Sequence, residues 1–284
     1  MKKLNQRRST RRCQMCCTSA SESSTAEHLH DLQVTNSATE ESVDASKLLK
    51  SGTNATLLAM LTPFADFDSF ELAQSIAKRQ HSLDTRSIDV IAIGIGSLSG
   101  AQLFAHKTGF PSACLYCDPD AGVHKRLNLY SGLFNRGGLP GLLLMCAGIG
   151  SPGTLKEVAR GYVGDKTSEQ IFQRGDTISF ESDLLPQFDG GFFEQVGEGF
   201  LRPMEGATKR LQNMVCILKN WNVLLNDNRI ITQRGGVRLL DSDGSLIFSH
   251  NDEGILRYAD IDMVIEAYDE HAYGVTNAGR GLFG

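Results

Sequence analysis

Four cysteines in the body of the chain, Cys114, Cys117, Cys146 and Cys216, carry the simplest chemistry the sequence offers. Cys114-x-x-Cys117 has the spacing of a dithiol pair, which works by attack of one thiolate on a disulfide sulfur. In an extended strand, residues three apart face opposite sides and lie roughly 10 Å apart, whereas a disulfide needs Cα atoms within about 7 Å. The two meet only if Cys114 belongs to the turn after Pro111, so a structural role is the expectation. Cys146 and Cys216 sit among apolar residues and read as small buried hydrophobes, although the glycines that follow Cys146 would let it face a cleft. Cys13, Cys16 and Cys17 look like half of a zinc site, but no second half follows at ligand spacing. Seven cysteines, an odd number, in a 284-residue chain with no secretory segment point to a reducing compartment.

Two glycine patterns have the form of phosphate cradles. Gly94-x-Gly96-x-x-x-Gly100 follows an apolar run, with Asp118 further on, and Gly148-x-Gly150-x-x-Gly153 precedes a helix-like TLKEVARGY. The second is the stronger candidate, because the first follows the second strand of its unit and not the first. Neither is expected to bind a dinucleotide, and no cofactor is expected. The histidines are scattered and form no metal set. A net charge of −5 gives no reason to expect nucleic acid as a partner. No apolar run approaches the roughly 18–20 residues of a membrane span; Leu139–Ile149 is interrupted by Gly and Pro and is too short.

The elements that would position these groups follow from periodicity. Asn54–Leu61 reads as a buried strand, and Asp66–His81 as a helix with Phe70, Ala73, Ile76 and Ala77 on one face. Asp66, Asp68 or Ser69 caps that helix. Ile88–Ile95 is a strand, Ser99–Thr108 a helix stopped by Gly109, and Cys114–Asp118 a short strand. Far downstream, Val237–Asp241 and Leu246–His250 flank the turn Ser242-Asp243-Gly244, and Tyr258–Tyr268 closes as a helix. His250-Asn-Asp252-Glu253 reads as a solvated turn. Parallel βαβ, an antiparallel hairpin and a helix make an α/β fold with a central mixed sheet flanked by helices.

The stretch IDVIAIGIGSLSGAQLFAHKTGFPSACLYCDPDAGVHKRLNLY, residues 88–130, resembles the peroxiredoxin-like AhpC/TSA-type antioxidant family, a branch of the thioredoxin fold. Its strand ends in GIGS, its helix in KTGFP, and the next strand in an acidic Asp-Pro turn. QRGGVRLLDSDGSLIFSH resembles that family's terminal strand–turn–strand unit, so the likeness covers 54–165 and 230–268. The resemblance implies a C-x-x-C redox pair at the start of the Asp66 helix. There the chain reads Asp66-Phe67-Asp68-Ser69, with Asp66 in the position of the attacking thiol and Ser69 in that of its partner. A carboxylate cannot exchange disulfides or form a sulfenic acid, so Asp66 is better read as a helix cap. The resemblance therefore implies a plastid- or cyanobacterial-type member lacking the pair.

Residues 1–21 are basic, rich in Ser and Thr, and contain no acid, the composition of an organelle address. A leader over 1–50 is expected to be disordered. The thioredoxin-like domain would occupy 51–270, with a helical insertion at about 173–228 and a flexible tail over 271–284. The location expected is a plastid, with mitochondrion or cytoplasm as alternatives. Within the insertion, Glu198–Trp221 places Leu201, Met204, Ala207, Leu211, Met214, Val215 and Leu218 at helical spacing. Packing on its own domain is the plainer expectation, and a face for an organellar protein partner the sharper one, with Phe192, Phe193, Phe200 and Trp221 as anchors. Three functional classes result: a binding or scaffolding protein that has lost the redox chemistry, a thiol-dependent oxidoreductase using other cysteines, and a nucleotide-binding reductase.

Overall fold

The structure is a computed structural model and describes residues 25–49, 53–135, 137–163, 170–182, 185–194 and 202–274. In chain order the elements are α1 (Thr25–His28), β1 (Gln33–Asn36), β2 (Ser42–Asp44), α2 (Ala45–Leu48), β3 (Ala55–Pro63), α3 (Phe67–Lys78), α4 (Gln80–Asp84), β4 (Ile88–Ile95), α5 (Leu98–Thr108) and β5 (Leu115–Cys117). There follow α6 (Gly122–Arg126), α7 (Gly138–Cys146), α8 (Thr154–Val163), β6 (Thr177–Ile178), β7 (Phe188–Asp189), α9 (Arg202–Lys219), α10 (Trp221–Leu224), β8 (Gly236–Leu240), β9 (Leu246–Asn251) and α11 (Ile261–Tyr273).

Seven strands form one sheet in the order β2-β1-β5-β4-β3-β8-β9. β3, β4 and β5 run parallel, and β8 pairs antiparallel with both β3 and β9. This is the thioredoxin-like arrangement, a mixed central sheet with helices on both faces. β3 shows why it is stable. Leu57, Ala59 and Leu61 pack into the larger core with α3, α5 and α11, while Leu58 and Met60 face the smaller core beneath α1, α2 and α6. Period-two alternation thus buries both sides of a central strand.

Residues 25–49 correct the expected boundary. They fold: Val34 and Leu29 enter the smaller core, and β1 pairs with β5 through Thr35–Cys117 and Asn36–Tyr116. Asn36 fixes the following turn, donating to Ala113 O at 2.9 Å and accepting from Ala38 N and Thr39 N. Strands of four and three residues with polar members carry no readable periodicity, so this segment looks like leader in the sequence. At the other end, α11 extends to Tyr273 and is closed by Gly274 at φ 61°, so the start of the expected tail is helical. The remainder of that tail, like residues 1–24, lies outside the described residues.

His124 on α6 is fully buried beneath β3. Its Nε2 donates to Leu61 O at 2.8 Å, while Nδ1 is buried with no partner among the described residues. Burial lowers its pKa to about 4. The unfolded chain, with an ordinary histidine pKa near 6.5, then binds a proton that the folded chain excludes. Stability is therefore lost as pH falls from about 6.5 towards 4, by roughly 3 kcal/mol in all for this one group. His250 has a raised pKa and pulls the opposite way in its own window. The test is urea unfolding at pH 7 and pH 5, compared with His124→Leu. The wild-type chain should lose about 2 kcal/mol more than the variant over that interval; equal losses would contradict it.

Candidate functional site

β3 delivers the chain to the N-terminus of α3, where the sequence resemblance places a redox pair. Asp66 is the N-cap in extended conformation (φ −105°, ψ 136°), and its Oδ1 accepts from Asp68 N at 3.0 Å. This cap satisfies one of the four free N–H groups of the helix. Ser69 is buried behind it, with its Oγ bonded to Thr62 O at 2.9 Å and 2.6 Å from Thr62 Oγ1. Neither residue is open to solvent: Asp66, Asp68 and Ser69 are 4%, 1% and 1% exposed.

Arg234, in the loop before β8, lies against both acids. It is 0% exposed. Its Nη2 donates to Asp66 Oδ2 in a short ion pair and to Ile231 O at 3.0 Å, its Nη1 to Asp68 Oδ2 at 3.1 Å, and its Nε to Thr232 O at 3.1 Å. Asp68 also accepts from Leu256 N, at 3.0 and 2.9 Å. Two carboxylates thus share one guanidinium. Burial and then Asp66 push the Asp68 carboxyl well above the usual range, with Arg234 opposing. Asp252 adds a third buried carboxyl, 2% exposed, and burial pushes it up as well. Its N–H donates to Gly235 O, and His250 Nε2 lies 3.4 Å from its Oδ1. The segment read as a solvated turn is therefore half interior, because Asp252 belongs to the Arg234 cluster.

Arg234 itself was not legible as a site residue. The signal was present in two acids one residue apart at a helix start, Asp66 and Asp68, since their mutual repulsion calls for a cation. The Arg in Gln-Arg-Gly-Gly stood 166 residues further on.

The cysteines are not brought together into a pair. Cys114 closes a 3-10 turn after Pro111 and Cys117 lies on β5; both pack on the larger core and both are free thiols. An open pocket lined by Asp84, Asp89 and Tyr116 lies beside Cys114. Burial, then those two acids, push the Cys114 thiol up, and burial pushes Cys117 up. Cys216 is buried, as expected, and is pushed up to about 11 by burial and by Glu181. Cys146 departs from expectation: it is exposed at the end of α7, not buried. Partial burial and then Asp66 push its thiol up. An attacking thiol needs a lowered pKa and an electropositive setting. Every described cysteine is instead pushed up, with burial the largest cause.

The glycine patterns are occupied by the chain itself. A side chain at Gly94 would strike the Phe64 ring, and a Cβ at Gly96 would lie 2.5 Å from it. In the second pattern a Cβ at Gly150 would lie 2.5 Å from Leu133 and one at Gly148 3.0 Å from Leu155. Asp118, which follows the first pattern, is 5% exposed and accepts from Val123 N in α6 at 2.7 Å. His30, Asp31 and Asp44 bring ligand atoms within 4.8 Å of one another, but Asp44 already accepts from Ser46 N and Asp31 N.

Of the proposed partner anchors, Phe193 is 3% exposed and stacks on Phe172 in a small aromatic core, and Trp221 packs on the larger core. Phe192 is 44% exposed, and Phe200 lies outside the described residues. Helix α9 holds the surprise. Its buried face mixes polar and apolar residues: Glu205 is 0% and Asn213 4% exposed, while Cys216 and Ile217, at 7% and 4%, enter the larger core. Arg210 grips Glu71 in a bidentate pair, and Asn213 exchanges hydrogen bonds with Gln74 at 3.1 Å. Its apolar stripe points outwards, with Met204, Met214 and Leu218 at 51%, 47% and 61% exposure.

A family model described as AhpC/TSA antioxidant enzyme matches residues 75–254, more than half of the chain. The chain belongs to that family. The match begins within α3, past Asp66–Ser69, so it covers Arg234 but not the position expected to hold the redox pair. Solved structures similar to this family member include the bacterioferritin comigratory protein of Xanthomonas campestris, 8% identical over 86% of this chain and 94% of that one, TM-score 0.44. A cysteine-to-serine variant of peroxiredoxin Q from Xanthomonas campestris is 9% identical over 86% and 94%, TM-score 0.43. Peroxidoxin BcpB of Mycobacterium tuberculosis is 10% identical over 84% and 90%, TM-score 0.41. No curated protein matches the chain.

Proposed function

We propose that this AhpC/TSA family member acts as a binding or scaffolding protein without thiol peroxidase chemistry, in a plastid. The observation that carries the reading is the helix N-terminus itself. The place suited to an activated thiol holds Asp66, capped onto α3 and ion-paired to a fully buried Arg234. A carboxylate so held neither exchanges disulfides nor opens to a peroxide.

The binding part of the proposal rests on α9. Met204, Ala207, Leu211, Met214 and Leu218 follow one another at alternating spacings of three and four, the seam spacing of helices that pack side by side. The partner is accordingly a helix laid along this face. Met214→Glu with Leu218→Glu should leave the melting temperature unchanged, because both side chains already face water. It should also remove the partner from complexes isolated with the tagged chain from its organelle. A fall in melting temperature, or complexes that survive the double substitution, would contradict the proposal. The plastid reading rests on the basic, acid-poor residues 1–21. An address that ends before Thr25 leaves β1 and β2 whole for the sheet. Residues 1–24 fused to a fluorescent protein should reach plastids; retention in the cytosol would count against it.

A further inference from the structure

We propose that the face formed by Phe134, Leu139, Leu143, Ile149 and Leu155 docks on the surface of a lipid bilayer that carries anionic headgroups. These five side chains are 69%, 44%, 70%, 53% and 60% exposed. They form one surface. Leu139, Leu143 and Cys146 lie at i, i+4 and i+7 on the outer side of α7, while Gly141 and Met145 face inwards and are buried. The Phe134 ring lies against Gly137 at the start of the helix, and the Leu155 side chain lies against Gly148 just past its end.

The chemistry of this surface selects its occupant. Residues 137–150 read GGLPGLLLMCAGIG, and the polar side-chain atoms among them are two sulfurs, the exposed Cys146 thiol and the inward Met145 Sδ, which already accepts from Leu133 N at 3.4 Å. A protein interface ordinarily carries about one hydrogen bond per 100–200 Å², and this face has almost nothing to offer one. A bilayer makes no such demand. It takes up apolar side chains without direction, and a short helix lying in the headgroup region presents such a face to it. At nine residues, about 13 Å, α7 is far too short to span a membrane. Charge agrees. Residues 131–156 contain no acid, and their two charged residues are Arg136 and Lys156. Lys156 is exposed and adjoins Leu155. The chain as a whole carries −5, so the exposed Lys156 would turn this face towards an anionic surface.

The test is flotation of the purified full chain with phosphatidylcholine vesicles, with and without a minor fraction of phosphatidylglycerol. The wild-type chain is expected to float with the mixed vesicles, and Leu143→Glu to lose at least about tenfold in partitioning at an unchanged melting temperature. Lys156→Glu should weaken binding to the mixed vesicles and leave any binding to phosphatidylcholine alone unchanged. If Leu143→Glu lowers the melting temperature, Ile149→Glu takes its place. A wild-type chain that stays at the bottom with both vesicle types overturns the proposal, as does flotation indifferent to these substitutions. A chain that doubles in mass in sedimentation, with the doubling lost in Leu143→Glu and no vesicle binding, also overturns it and assigns the face to a second copy.

Discussion

Replacing Arg234 with methionine should lower the unfolding free energy at pH 7 by about 3–5 kcal/mol, as expected when one partner of a buried ion pair is removed. The guanidinium is fully buried and bonds to Asp66, Asp68 and two backbone carbonyls. Methionine fills much of the volume but leaves two carboxylates inside with no cation. Two further outcomes separate this cause from lost packing. Stripped of the opposing charge of Arg234, the already raised Asp68 carboxyl is pushed up further, so the folded variant takes up a proton that the unfolded chain does not, and the deficit should shrink as pH falls towards 5. Adding Asp66→Asn and Asp68→Asn should restore part of the loss, which a double-mutant cycle reads as coupling. A loss under about 1 kcal/mol, or one independent of pH, would mean that the cluster is not held by charge.

Placing a thiol at the cap tests the same geometry from the other side. In an Asp66→Cys chain that also carries Cys146→Ser, the new thiolate would stand at the N-terminus of α3 against Arg234. Both features favour the anion. Its pKa, read from the ultraviolet absorbance of the thiolate, should fall below the ordinary value near 8.5, in contrast to the native described cysteines, all of which are pushed up. A titration midpoint near 8.5 or higher would show that Arg234 and the helix terminus do not act on position 66 in this way. Asp68 opposes the shift, but its charge stays held by Leu256 N and by the same guanidinium.

Where an apolar run or a turn signal is local, the sequence discloses the fold. β4 runs Ile88–Ile95 as its apolar run indicates, and the Ser242-Asp243-Gly244 turn joins β8 to β9. Asp66 caps α3 because a carboxylate before an apolar-periodic run has little else to do. Other features were hidden for physical reasons. A hydrophobic stripe gives a face but not its direction, so α9 shows its apolar positions in the sequence and conceals that Glu205 and Asn213 are buried beside Cys216 and Ile217 while Met204, Met214 and Leu218 are exposed. The α7 sequence is apolar on all sides, so nothing distinguishes inward Met145 from outward Cys146. Asp252 looks like part of a wet turn until the sheet places it beside Gly235 and Arg234. The pairings of Arg234 with Asp66 and Asp68 join residues more than 160 positions apart, and no local pattern records them.

Peroxide consumption by the purified chain, supplied with a thiol reductant, tests the loss of redox chemistry most directly. The expected rate matches that of a chain in which Cys114, Cys117, Cys146 and Cys216 are all serine, because no described thiol has the lowered pKa of an attacking cysteine. Turnover well above that background, abolished by a single substitution such as Cys146→Ser, would contradict it and make the chain a thiol peroxidase that uses a cysteine away from the α3 terminus.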